Sequence, residues 1–168
     1  GETGMPTKWN VKTGENIKWV TPLGSQTYGN PVIHKGKIFV GTNNTGEYRP
    51  KIKGDKGVII CFDEKTGKMR WQATHDKLPS GRVNDWPYQG VCSSPLVEGN
   101  VLYYTTNRGE LLALDTEGFL DGENDGPFTD EQYKSPHDGD VIWKFDMMEE
   151  LSAFPHNMSN SSPVSYGN

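Results

Sequence analysis

The stretch GVIICFDEKTGKMRW, residues 57–71, decides the fold. Val58, Ile59, Ile60 and Phe62 are strand formers, and Asp63-Glu64-Lys65-Thr66-Gly67 is a polar, Gly-bearing reversal. Met69 and Trp71 then open a second short run. The stretch predicts a β-hairpin that ends on a tryptophan. Its weight comes from repetition.

Outward from this hairpin the same device recurs. NPVIHKGKIFVGT (30–42) matches SPLVEGNVLYYTT (94–106), and GVIICFDEKTG (57–67) matches GELLALDTEG (109–118). IKWVTP (17–22), MRWQAT (69–74) and VIWKFD (141–146) are three Trp-centred runs, and Lys12-Thr13-Gly14 repeats the turn triplet Lys65-Thr66-Gly67. NSSPVSYGN (160–168) opens a third Pro-led run. Each unit reads as four short strands: a Pro strand, its hairpin partner, a Phe/Leu-Asp strand and a Trp strand. Such units bury their faces against neighbouring copies. The predicted fold is all-β, a partial β-propeller of about two four-stranded blades plus flanking strands. An N-terminal extension (1–14) precedes a propeller segment (15–168), with repeats near 30–73 and 91–146 and a further blade beginning at 160–168. A β-sandwich is the alternative, but four matched segments in one order argue against it.

Composition narrows the function classes. The chain has 168 residues, 33% of them hydrophobic, with 20 Gly and 11 Pro, so burial is shared among many short, half-buried elements. A net charge of −5 with mixed signs offers no basic track for nucleic acid. No apolar run approaches the length of a transmembrane segment. The first residue is not Met and no signal-peptide pattern is visible, as expected of a processed or partial product. Cys61 and Cys92 leave one bridge or two separate buried thiols open, with separate thiols expected.

The pattern V/I-x-A/C-Φ-D-x-x-T-G-K-x-x-W, followed by S-S/N-P-V/L and a β-rich run, resembles PQQ-like β-propeller repeats. The insertions YGNPVIHKGKIFVGTNN, LPSGRVNDWPYQGVCSSP and LDTEGFLDGENDGPFTDE look like those of secreted, planctomycete-type members of that family. The resemblance covers nearly all of the chain beyond residue 15. It implies a periplasmic or extracellular propeller module and carries no agreed catalytic residues. Quinone-dependent dehydrogenases share such blades but add adjacent cysteines, a calcium bridging the quinone and a catalytic Asp. Cys61 and Cys92 are not adjacent, so PQQ is not expected as a cofactor. The favoured expectation is a non-catalytic binding or structural module whose partners are remaining blades or other chains, met through strand edges. Two readings compete: a fragment of an oxidoreductase with its active residues on other blades, and a fibre-forming subunit.

Strand order sorts the loops by face. Loops 22–29, 43–56, 74–90 and 147–160 share one face; the reversals at 34–36 and 98–100 and the insertion 116–139 share the other. The first face gathers His75, Arg82, Asn84, Asp85, Trp86, Tyr88, Gln89 and His156. Rings beside amide and charged tips suit sugar or peptide binding, the alternative being that Trp86 and Tyr88 plug the gap between blades. The histidines are too scattered to be assigned as ligands. On the second face Asp121-Gly122-Glu123-Asn124-Asp125-Gly126 copies the opening of a calcium loop, with oxygen ligands at Asp121, Glu123 and Asp125. The copy then departs, because Pro127 occupies the seventh position and Gln132 stands where a bidentate Glu should be; a solvated Asx-Gly turn is the alternative. Asn43, Asn157 and Asn160 head acceptor sequons for glycosylation.

Overall fold

The computed structural model describes residues 3–79 and 85–167. Two four-stranded antiparallel sheets carry the fold. The first comprises β1 (Val32–His34), β2 (Lys37–Asn43), β3 (Lys56–Asp63) and β4 (Met69–Asp76), in that spatial order. The second comprises β5 (Leu96–Glu98), β6 (Val101–Thr105), β7 (Glu110–Asp115) and β8 (Val141–Asp146), ordered likewise. One short helix, α1 (Met147–Leu151), follows β8, capped by Asp146, whose carboxylate accepts from Met148 N and Glu149 N. The all-β, two-blade partial propeller expected from the repeats is the observed architecture.

The repeats match down to their irregularities. In β3–β4 the register shifts between Cys61 and Phe62, leaving Arg70 unpaired; in β7–β8 it shifts between Ala113 and Leu114, leaving Ile142 unpaired. A bulge at the same place bends each Trp strand. The first hairpin closes on Asp63, whose carboxylate accepts from Lys65 N, Thr66 N and Thr66 Oγ1. Gly67 closes that turn at φ +68°.

The sheets stack face to face. Phe39, Ile59, Cys61, Trp71 and Ala73 of the first meet Leu102, Tyr104, Leu112, Leu114 and Val141 of the second, with Val91 between them. Each large side chain fully removed from water here contributes about 1.5–3 kcal/mol. On the far face of the first sheet Val40, Val58, Ile60 and Phe62 are roofed by Leu23 and Tyr48. Inner strands are joined near the axis by equivalent residues. Asn30 N donates to Ser94 Oγ at 2.8 Å, and Ser94 N donates to Ser162 Oγ at 3.0 Å. His34 Nε2 donates to the Gly99 carbonyl at 2.9 Å, tying one β-turn to its counterpart. Pro31 and Pro95 therefore precede equivalent, adjacent innermost strands.

Three local expectations are corrected. Residues 17–21 form no strand, because no third strand is present before them, among the described residues, to supply a ladder. Trp19 instead lies flat on Gly67, where an added Cβ would meet its ring at 2.6 Å, and its Nε1 donates to Glu64 O at 2.9 Å. Residues 160–167 likewise pair with no partner strand, although Ser162 sits in the ring position of the next unit. Finally, the outer edge of β4 is not bare. The insertion 116–139 returns to it: Gln72 N donates to His137 O at 3.0 Å, and Gly139 N to Gln72 O at 3.1 Å. Asp138, bridged to Gln72, is held there by Arg49.

Candidate functional site

The loop face assembles as strand order requires, but its residues divide into two kinds. Asp85 is 1% exposed and accepts from Lys77 Nζ, Leu78 N (3.0 Å) and Asn107 Nδ2 (2.8 Å). Gln89, also buried, donates from Nε2 to Gln26 Oε1 at 2.7 Å. These polar side chains pin the loop from inside. Trp86 and Tyr88, between them in sequence, are 43% and 51% exposed, so their rings lie on the surface and do not plug the gap between blades. Tyr88 is held at φ +61°, a conformation costly for a bulky residue. Its N–H donates to Asp55 Oδ2 at 2.7 Å and its carbonyl accepts from Asn43 Nδ2, which over-determines the backbone. Trp86 N donates to Asn157 O at 2.6 Å. Arg82 and Asn84 lie outside the described residues.

Tyr28 joins this surface and was missed by sequence reasoning. It is 56% exposed, and its hydroxyl donates to the same Gln26 Oε1 that Gln89 holds. The available signal was positional, since loop 22–29 precedes an inner strand just as loop 77–95 does. The two face histidines do not converge. His156 is exposed, whereas His75 is buried with Nε2 2.7 Å from the Tyr104 hydroxyl. Burial, with Arg108 adding to it, pushes the His75 imidazole down to about 3, so it stays neutral. Both thiols are free and buried, pushed up to about 12 at Cys61 and about 11 at Cys92 chiefly by desolvation.

Of the sequon asparagines, Asn43 is fully buried and its amide is spent on Thr45, Ser25 and Tyr88, leaving no access for a glycan on the folded chain. Asn157 is half-buried and Asn160 exposed.

On the opposite face the acidic insertion is arranged differently from a linear calcium loop. Asp115, Asp121 and Asp125 each bring a carboxylate oxygen within 4.8 Å of the others. Glu123 is exposed and outside this group; its N–H donates to Asp121 Oδ1 at 3.0 Å. Asp115 ends β7 and is the repeat equivalent of Asp63. In the first sheet the Lys-Thr-Gly turn consumes that carboxylate, and hydrogen bonds from Thr66 lower its pKa. In the second sheet the turn is replaced by the insertion, and burial, with Asp121, Asp125 and Glu117 nearby, raises the Asp115 pKa. Asp140 is fully buried beside them. Desolvation pushes its carboxyl up to about 6, and Glu131, Asp125 and Asp115 add to the effect. Asp115 and Asp140 carried no sequence signal beyond their place in the repeat.

Between the sheets, under residues 128–139 of the insertion, lies a cavity of about 270 Å³ bounded by Gln72, Thr74, Arg108, Glu110, Glu131 and Lys144. Glu110 is shared by Arg108 at 3.5 Å and Lys144 at 3.6 Å, so much of the charge here is internally compensated. His75 adjoins it, but its Nε2 is committed to the Tyr104 hydroxyl.

No helix is long and apolar enough to cross a membrane among the described residues. No curated protein matches the chain. Residues 2–120, well over half of the chain, match a family model of PQQ-like repeats described as outer membrane protein assembly factor BamB. With its paired four-stranded sheets, matched bulges and serine-linked inner strands, the chain belongs to this BamB-like family of PQQ-repeat β-propellers.

Proposed function

We propose that the chain is a non-catalytic propeller module acting outside the cytoplasm, which engages protein neighbours through an open sheet face and presents an aromatic rim on its loop side. The observation that carries this reading is the far face of the second sheet. Tyr103 and Trp143 are half-buried there, and Phe145 is 36% exposed. They occupy the repeat positions of Phe39, Trp71 and Ala73, which in the first sheet are covered by the second. A surface of the composition that one blade already buries is suited to another sheet of the same type. The docking element is thus a face, where the sequence suggested a strand edge. The family's printed description as an outer-membrane assembly factor supports a periplasmic or extracellular setting.

A photo-reactive residue at Phe145 of the protein in its native setting tests this. It is expected to cross-link to a neighbouring PQQ-type sheet, whereas the same residue at exposed Lys51 does not. Equal cross-linking at both sites, or none at Phe145, overturns the docking face. Turnover of an alcohol with added quinone and Ca²⁺ would overturn the non-catalytic part. A fibre built head to tail is less well supported, because the far face of the first sheet is already roofed by Leu23 and Tyr48. On the loop side Trp86, Tyr88 and Tyr28 are the rings on which a sugar or peptide would stack, with Asp85 and Gln89 as internal supports.

A further inference from the structure

We propose that Asp115, Asp121 and Asp125, backed by the buried carboxylate of Asp140, form a binding site for one Ca²⁺ ion, which clamps the insertion 116–139 onto the second sheet. Three lines support it, and the first is distance. Oxygens on opposite sides of one calcium ion lie about 4.6–5.2 Å apart, twice the usual bond of about 2.3–2.6 Å. The oxygens of Asp115, Asp121 and Asp125 all lie within 4.8 Å of one another.

The second line is independent of that cluster. Asp140 is completely buried, and its Oδ1 has no hydrogen-bond partner. Its other carboxylate oxygen accepts from Asp125 N at 2.7 Å, and its backbone carbonyl accepts from Asp115 N at 3.0 Å. These two bonds hold Asp140 beside two members of the cluster. A buried carboxylate oxygen with no donor is an unfavourable arrangement that a hard cation resolves.

The third line is charge. Among the described residues no Lys, Arg or His forms an ion pair with any of the four aspartates, although Lys37 and Arg70 both pair with Glu117, two residues beyond Asp115. All donors are carboxylate oxygens, the chemistry of Ca²⁺, with no nitrogen or sulfur ligand of the kind that softer metals prefer. Mg²⁺ dehydrates reluctantly and rarely takes an all-carboxylate protein cage, which favours the larger ion. The three convergent carboxylates come from the end of β7 and the loop 121–126, and Asp140 immediately precedes β8. A bound ion would join both ends of the insertion, whose middle covers the edge of β4.

The experiment is a calorimetric titration of the chelator-stripped protein with Ca²⁺, paired with thermal unfolding in Ca²⁺ and in chelator. One ion is expected to bind with sub-millimolar affinity and to raise Tm, with Mg²⁺ at least about tenfold weaker. Asp125→Asn and the isosteric Asp140→Asn should each weaken Ca²⁺ by at least about tenfold, while Glu123→Gln leaves it unchanged. No heat and no Tm shift at about 10 mM Ca²⁺, ten times the weak end for extracellular calcium modules, would sink the proposal. So would equal affinity for Mg²⁺, or loss of binding in Glu123→Gln with retention in both aspartate variants.

Discussion

The two sheets carry the same aromatic pair in two environments. Phe39 and Trp71 have ring centroids 5.9 Å apart at 45°; Tyr103 and Trp143 have theirs 6.0 Å apart at 48°. The first pair is wholly buried, and Trp71 Nε1 donates to Thr116 O at 3.1 Å; the second pair is only half-covered. Pair geometry is thus a property of strand register and of the shared bulge, since it survives the loss of cover. Burial belongs to the neighbour. The same slot is a core in one sheet and a docking face in the next.

That contrast can be broken most easily at the tryptophans. Trp71→Ala should destabilise by about 3–5 kcal/mol, through the cavity and the lost indole bond, and Trp143→Ala by no more than about 1 kcal/mol in urea titrations. Similar losses at both would mean that cover does not distinguish the sheets. Next comes the strap across the first sheet. Arg49→Ala strands the Asp138 carboxylate, 3% exposed, at a cost of about 3 kcal/mol; the Ser135 bonds keep it from being larger. Lys56→Ala, which breaks a pair with half-exposed Asp76, should cost less than about 1 kcal/mol by the same measurement.

A pH experiment sharpens the comparison at His75, whose matching position in the second sheet is Met147. The folded-state pKa of about 3 lies below the ordinary 6.5, so folding favours the neutral ring. That contribution is intact above pH 6.5 and is lost as pH falls from there toward 3. Lowering the pH from 7.5 to 5 should therefore cost the wild type about 2 kcal/mol more than it costs His75→Gln, by denaturant midpoints at both pH values. The smallest effect is expected at the axis. Ser94→Ala removes the acceptor of Asn30 N and should cost about 1 kcal/mol; Ser162→Ala, at an exposed position, should cost less.

Errors in the sequence reading have a common origin. The run at residues 17–21 has the composition of a Trp strand, but a strand is completed by its neighbour's ladder, and Trp19 found Gly67 instead. Asp85 and Trp86 looked like one constellation because they are adjacent, yet the backbone sends one inward and the other out. Of the loop 121–126, Asp121 and Asp125 come together with Asp115, while Glu123, in the middle of the motif, lies outside the cluster. The residues missed, Asp115 within the cluster and Asp140 beside it, are close in space and distant in sequence.

Period-two alternation, the Asp-x-x-Thr-Gly reversal and the recurring Pro and Trp determined each four-stranded unit, its strand order and its shared bulge, because these depend on contacts within a few dozen residues. Which sheet face is covered, which aspartates converge and which rings reach solvent were decided only when one sheet and its insertion lay down on the other. Those outcomes depend on long-range burial and on charges brought together through space, and equivalent residues in the two repeats meet different neighbours.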